Sequence, residues 1–265
     1  MATKIKEAQN TNDSLRWRFD VNTFRLLGRE LITDRITAVF ELVKNCYDAN
    51  STDVTVEFQN VSANNSESKI IISDNGIGMS FEDIRDKWMV VGTNNKRTQL
   101  FSDEPFKRKF VGEKGIGRFA VDKLGERLLI RTKQLGSKQW LKVNINWDEY
   151  EAKSDISKTN NQLSLFTEVD NSYTWETGNA NEHGTQIIIS KVSETWAEKD
   201  LEWLYKELAK LVSPFYPVKP PFDIYVKSNE VDGFKNKQVK PEPIRFYSHH
   251  AEISFNPETN KQETL

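Results

Sequence analysis

The sequence predicts an α+β protein, and three observations carry that expectation. Residues 34–50 have the helical period: at about 100° per residue Glu41, Asn45 and Asp48 share one face, and Ile36, Val39, Val43 and Cys46 share the opposite one. Several short apolar runs read as strands, among them 54–58, 69–73, 128–132, 140–147 and 186–190. Two glycine-rich turns, at 74–79 and 112–117, adjoin a strand or a helix, where bound ligands are commonly held.

Residues 1–14 read as a polar lead-in, and Phe24, Leu27 and Leu31 suggest a short helix ending before Thr33. Asp34 is the expected N-cap of the long helix. Val54, Val56 and Phe58 alternate as a half-buried strand does, and 69–73 is a nearly continuous apolar strand running into Asp74-Asn-Gly-Ile-Gly-Met79. Ser80 caps a weak helical pattern over 81–91. Residues 92–109 read as a long functional or disordered loop, whose basic residues Arg97, Lys107, Arg108 and Lys109 could touch nucleic acid but are rather expected to be solvated. A helix over 118–124 is closed by Gly125. Strands follow at 128–132 and 140–147, then a polar insertion over 148–183 with one short strand at 163–166. A strand at 186–190 and a helix over 198–211 come next, with Pro214 and Pro217 stopping the helix. Phe222 to Val226 opens a further strand, and the tail from 229 onward has too few apolar residues for a core of its own.

Composition narrows the function classes. With 265 residues, 37% hydrophobic and 29% charged, the chain is long enough for one large domain or two modest ones. Net charge is −2, which offers no bulk attraction to nucleic acid. No apolar run reaches membrane-spanning length, the first ten residues lack a signal-peptide core, and the lone Cys46 cannot form an internal disulfide. A cytoplasmic location is the resulting expectation. Cys46 falls on the apolar helix face, where a buried, inert thiol is expected.

The polar face of the long helix has a chemical use. An amide oxygen and a carboxylate one turn apart suit a Mg2+-bound polyphosphate: the amide ligates the hard cation, and the carboxylate polarises water. A solvated polar stripe would look the same. Asp74, at a strand end before Gly76 and Gly78, can accept a hydrogen bond from an exocyclic amine, although Asp-Asn-Gly is also common turn chemistry. Gly112, Gly115 and Gly117 before a helix expose amides to an anion, with Lys114 and Arg118 adding charge; their spacing fits neither the dinucleotide fingerprint nor the P-loop.

Taken in order, E-x-x-x-N-x-x-D-A, D-x-G-x-G-M, G-x-x-G-x-G-R-F and a Gly-Thr before an apolar strand are much more specific. Together they resemble the GHKL ATPases (gyrase, heat-shock chaperone, histidine kinase, MutL) from about Phe19 to Ser190. The resemblance implies the Bergerat ATP-binding fold, a two-layer α/β sandwich whose mixed, mostly antiparallel sheet is covered on one face by helices, with a long ATP lid. It implies ATP and Mg2+ as ligands, Asn45 as the Mg2+ ligand and Glu41 as the general base. Asp74 would bind the adenine amine, with Gly76, Gly78 and Met79 walling the pocket and Thr185 supporting it. Gly112, Glu113, Lys114, Gly115, Ile116 and Gly117 would form the lid hinge that wraps the phosphates. Thr93 and Lys96 match a lid segment of the chaperone branch, and Asp48 would be a supporting partner of the site.

The lid box lacks the aromatic residue common in the chaperones and looks closer to prokaryotic relatives of chaperone and MORC type, for which antiviral defence is one setting. The expected organisation is a lead at 1–18, an ATP-binding domain at 19–195, and at 196–265 a helix and the start of a transducer-like domain. The chain is therefore expected to be the N-terminal ATPase module of a longer protein. Slow Mg-dependent hydrolysis would drive lid closure and ATP-dependent homodimerisation, acting on an unknown protein or DNA client. Two rivals use the same pocket: a nucleotide sensor without turnover, and a histidine-kinase catalytic domain. Of the three histidines, His183, His249 and His250, none lies on a helix upstream of the pocket, which disfavours the kinase.

Overall fold

A computed structural model describes residues 20, 21, 23, 32–63, 65–90, 101, 102, 105–111, 120–160, 169–213, 220–241, 253–256 and 261–264. The long helix is α1 (Arg35–Asp48). Asp34 caps it as expected: one carboxylate oxygen accepts the Thr37 N–H and the other the Thr37 hydroxyl, both at 2.9 Å. Ile36, Val39, Leu42, Val43 and Cys46 are buried along its apolar stripe. Each fully buried aliphatic side chain stabilises the fold by roughly 1.5–3 kcal/mol, so this stripe sets the rotation of α1 and turns its polar face toward the site.

Eight strands form one sheet. They are β1 (Asp53–Gln59), β2 (Lys69–Asp74), β3 (Gly125–Lys133), β4 (Gln139–Asn146), β5 (Tyr173–Thr177), β6 (Gly184–Val192), β7 (Asp223–Ser228) and β8 (Lys237–Gln238). Their order is β5-β4-β3-β6-β2-β1-β7-β8. Neighbours are antiparallel except β1 and β7, which run parallel with Val54 opposite Ile224. Three further helices are α2 (Ala120–Leu124), α3 (Trp147–Asn160) and α4 (Glu198–Ala209); α2 and α4 pack against α1. The tail carries a separate hairpin, β9 (Ile253–Asn256) with β10 (Lys261–Thr264).

Strand alternation sorts the two faces of the sheet. Val54, Val56, Phe58, Ile70, Ile72, Leu128, Ile130, Ile189, Ile224 and Val226 are buried under the helices. Their neighbours Thr55, Glu57, Ile71, Ser73, Arg131, Gln186 and Ile188 are only half-buried. This is the one-sided, mostly antiparallel α+β sandwich expected.

Three local expectations are corrected. The region after 147 opens as helix α3, and β5 adds an edge strand; the expected strand at 163–166 lies outside the described residues. The helical pattern at 81–91 becomes one α-turn (Phe81–Asp83) followed by a π-helical turn (Ile84–Trp88), held by a capping box between Ser80 and Asp83. Arg108 is buried, although Lys107 and Lys109 are exposed as expected. Its guanidinium donates to the carbonyls of Ser51 (2.5 Å), Tyr47 (3.3 Å) and Pro221 (2.9 Å), and lies over the rings of Tyr47, Phe106 and Phe222. Aromatic faces and the carbonyls at the helix end replace water around the cation, and the loop at 105–111 is thereby fastened to the end of α1. Arg108→Ala removes a donor to these three carbonyls, the Ser51 one buried, together with the ring contacts, and is expected to lower stability by about 2–4 kcal/mol in chemical denaturation. An unchanged midpoint would mean that the cage holds nothing.

Candidate functional site

The site is built where the end of β2 meets the last turns of α1. Ile77 N–H donates to Ala49 O at 2.9 Å, so the turn after β2 sits directly on the helix C-terminus. Asn75 ties the same two elements: its Oδ1 accepts from Ser51 Oγ (2.8 Å), Thr52 N (2.9 Å) and Asp53 N (3.0 Å), and its Nδ2 donates to Thr52 Oγ1 (2.8 Å). Gly78 has φ +67, and a Cβ there would collide with the Lys133 carbonyl, so only glycine fits. A side chain at Gly76 would press on Ala49 O.

Asp74 stands at the strand end with Gly76 N–H donating to its Oδ1 at 2.8 Å. Burial pushes its carboxyl up to about 6. The Gly76 amide, the Cys46 thiol, the Thr185 backbone and the nearby His183 pull the other way without cancelling it. Cys46 beside it is buried, and burial together with the Asp74 charge raises its thiol well above the ordinary range, so it is inert as expected.

Thr185 is the cross-strand partner of Asp74 and of Thr132. The Thr132 hydroxyl lies 2.9 Å from that of Thr185 and accepts the Met79 N–H at 2.8 Å. Thr132 is therefore the hub joining Thr185 to the wall at Met79. Its role depends on strand register, which local pattern does not reveal. His183 Nδ1 lies 2.7 Å from Gly76 O and, as the donor, fixes the turn from the β6 side.

The polar face of α1 carries Glu41, Lys44, Asn45 and Asp48. Glu41 and Asn45 are half-buried. Lys44 Nζ donates to Glu41 Oε1 at 2.9 Å. Asp48 is 7% exposed, and its Oδ1 accepts the Val111 N–H at 2.9 Å, immediately before the second glycine box. The structure thus brings Asp74, Gly76, Gly78, Met79 and Thr185 together against the C-terminal end of α1, where Asp48 lies, with Asn45 and Glu41 further back along the same helix. Thr93, Lys96, Gly112, Glu113, Lys114, Gly115, Ile116 and Gly117 lie outside the described residues. Asn75, Thr132, His183 and Lys44 are contributors that sequence reading missed; only Lys44, one turn from Glu41 on a recognised helix face, left a readable local signal.

A cavity of about 420 Å³ shares Asp74, Asn75 and His183 with this turn and opens toward Ser73, Arg131 and Gln186. By strand alternation those three side chains lie on the sheet face away from the helices, so it is distinct from the space between the Asp74 carboxylate and α1. No group of three or more His, Cys, Asp or Glu side chains placed to hold a metal occurs among the described residues. That donor set still fits Mg2+, which binds through one or two protein oxygens together with substrate phosphates; the Asn45 amide oxygen is such a donor. No helix among the described residues is long and apolar enough to cross a membrane.

Residues 33–177, more than half of the chain, match the model of the family described as histidine kinase-, DNA gyrase B-, and HSP90-like ATPase. The chain is 32% identical over 103 residues to a protein of Herpetosiphon aurantiacus named "Putative type II restriction enzyme HgiDII", covering 39% of this chain and 15% of that protein. It is 25% identical over 199 residues to chaperone protein HtpG of Buchnera aphidicola subsp. Baizongia pistaciae, covering 68% of this chain and 31% of the chaperone. The N-terminal domain of a DNA repair protein superposes with a TM-score of 0.46 at 18% identity, over 82% of this chain and 54% of that one. The chain spans about a third or less of the length of the curated relatives it matches.

Proposed function

The chain belongs to the histidine kinase-, DNA gyrase B- and HSP90-like ATPase family, and from that premise we propose that it binds Mg-ATP and hydrolyses it slowly. The observation that carries this reading is the Asp74 carboxylate, buried at the end of β2 and facing the helix that bears Glu41 and Asn45. Asp74 accepts a hydrogen bond from the adenine amine, with Thr185, Thr132 and Met79 holding the pocket. The triphosphate then runs back along α1, because Asp74 is anchored at the helix C-terminal end. From Asp48 to Glu41 is seven residues, about 10 Å along the axis.

Asn45 would hold Mg2+, which neutralises phosphate charge when bound. Glu41 orients a water and takes its proton; the water oxygen bonds to the terminal phosphorus, the bond to the bridging oxygen breaks, and ADP leaves with that electron pair. The residues at 112–117, with Thr93 and Lys96, contribute lid contacts to the phosphates. Asp48 holds the amide of Val111, the residue immediately before 112–117. Lid closure on ATP and opening after hydrolysis would then switch a longer protein, with two copies pairing in the ATP state and a protein or DNA client on the receiving side.

One observation favours a second reading, a nucleotide sensor without turnover: the Glu41 carboxylate is engaged by Lys44. Calorimetric titration with Mg-ATP and measurement of phosphate release decide between them. Binding with release supports the ATPase, binding without release supports the sensor, and no binding at millimolar ATP removes both.

A further inference from the structure

We propose that Lys44 is a substrate-contacting residue of the ATP site, paired with Glu41 until the terminal phosphate competes for its ammonium and leaves the carboxylate to the water. This role rests on the ATP-site reading above. Its first support is an anomaly in burial. The described helical lysine–carboxylate pairs at three or four residues' spacing are otherwise surface pairs: the side chains of Lys87, Lys210 and Lys235 are 64%, 62% and 77% exposed. Lys44 is 14% exposed, although its partner Glu41 is 29% exposed. A lysine ordinarily extends its ammonium to water and is seldom so covered without a paired role. The Lys44 ammonium instead turns along the polar face of α1, close to Glu41 and 5.8 Å from the Phe40 ring centroid.

Position then connects it to the phosphates. On the helical projection Lys44 falls about 60° to one side of Glu41, with Asn45 about 40° to the other. Asp74 and its turn are fixed against Cys46 and Ala49. A nucleotide whose base lies on Asp74 therefore passes the level of Asn45 and Lys44 before its terminal phosphate comes abreast of Glu41. The ammonium carries three donors and a full positive charge. A triphosphate presents several acceptor oxygens and more negative charge than one carboxylate, so the exchange runs toward phosphate. A helical ion pair of this spacing with a solvent-accessible carboxylate is weak, and the Glu41 contact can be given up readily. Lys44 would thus make the base available only when a third phosphate is present, which reconciles the engaged carboxylate with turnover.

The test is calorimetry with Mg-ATP and Mg-ADP on the chain carrying Lys44→Met, Lys44→Arg and Glu41→Gln. Lys44→Met should weaken ATP binding by roughly 10- to 100-fold, the scale of one charge-assisted hydrogen bond, and ADP binding by less than about threefold. Lys44→Arg should keep ATP binding within a few-fold. Glu41→Gln, which frees the ammonium, should bind ATP at least as tightly as the parent, and adding Lys44→Met should remove that affinity. Equal losses for ATP and ADP, or an unchanged ATP affinity in Lys44→Met, would overturn the proposal. If Lys44→Met does not fold, Lys44→Gln compared with Glu41→Gln decides the same question. Failure of the parent chain to bind either nucleotide would instead overturn the ATP-site reading itself.

Discussion

Glu41→Ala is expected to reduce phosphate release by about 10²–10⁴-fold, the usual contribution of a positioned general base, while Mg-ATP affinity stays within a few-fold of the parent. The separation follows from where Glu41 sits. It is two turns of α1 from Asp48, on the polar face but away from Asp74 and the Thr132–Thr185 pair proposed to hold the base. Its carboxylate is engaged by Lys44 on the same helix, whereas Asp74, Thr132 and Thr185 are tied to Gly76, to Met79 and to one another. A variant that lost binding and release together would place Glu41 in the binding wall. If γ-labelled ATP instead left an acid-labile phosphoprotein, the histidine-kinase reading would replace hydrolysis.

Asp74→Asn is expected to lose ATP binding by about 10- to 100-fold or more, because a charge-assisted hydrogen bond to the adenine amine becomes a neutral one. The fold should survive, since an asparagine Oδ1 can still accept the Gly76 N–H. The pH dependence separates function from stability. Burial holds the Asp74 carboxyl at about 6, above its ordinary 3.8. The folded chain therefore binds this proton more tightly than the unfolded chain does. From this group alone, stability rises as pH falls from about 6 toward about 4 and is lost as pH climbs back through 6. Nucleotide affinity is expected to run the opposite way: the proposed contact uses the ionised form, so affinity should be full above neutral pH and fall as the solution is acidified through 6. Asp74→Asn should flatten the stability change over that window and melt no lower than the parent at pH 7. A variant that binds ATP normally at pH 7 would remove Asp74 from the site.

Much of this arrangement was legible from local chemistry. Asp34 as a capping residue and the apolar stripe of α1 announce the helix and its rotation. The alternation of Val54, Val56 and Phe58 announces β1, and a carboxylate followed by two glycines announces the turn after β2. What escaped is non-local or lacks an apolar period. Helix α3 begins at Trp147 and continues through Asp148, Glu149, Glu151 and Lys153, so it resembles a solvated loop in sequence. The parallel pairing of β1 with β7 joins segments far apart in the chain and leaves no mark in either. Thr132 matters because β3 and β6 are in a register that sets it opposite Thr185, and Arg108 because Tyr47, Phe106 and Phe222 converge on it. A basic residue in a polar loop reads as solvated until the rings that enclose it are placed.

The proposed site has one carboxylate gripping a purine at the end of β2 while α1 carries the phosphate chemistry. A crystal structure of the chain with Mg2+ and a non-hydrolysable ATP analogue tests that division most directly. The expected result is the adenine amine within hydrogen-bond distance of Asp74, the metal on Asn45 and the terminal phosphate beside Glu41. A base bound in the cavity lined by Ser73, Arg131 and Gln186, or anywhere else away from the Asp74–Gly78 turn, would contradict it.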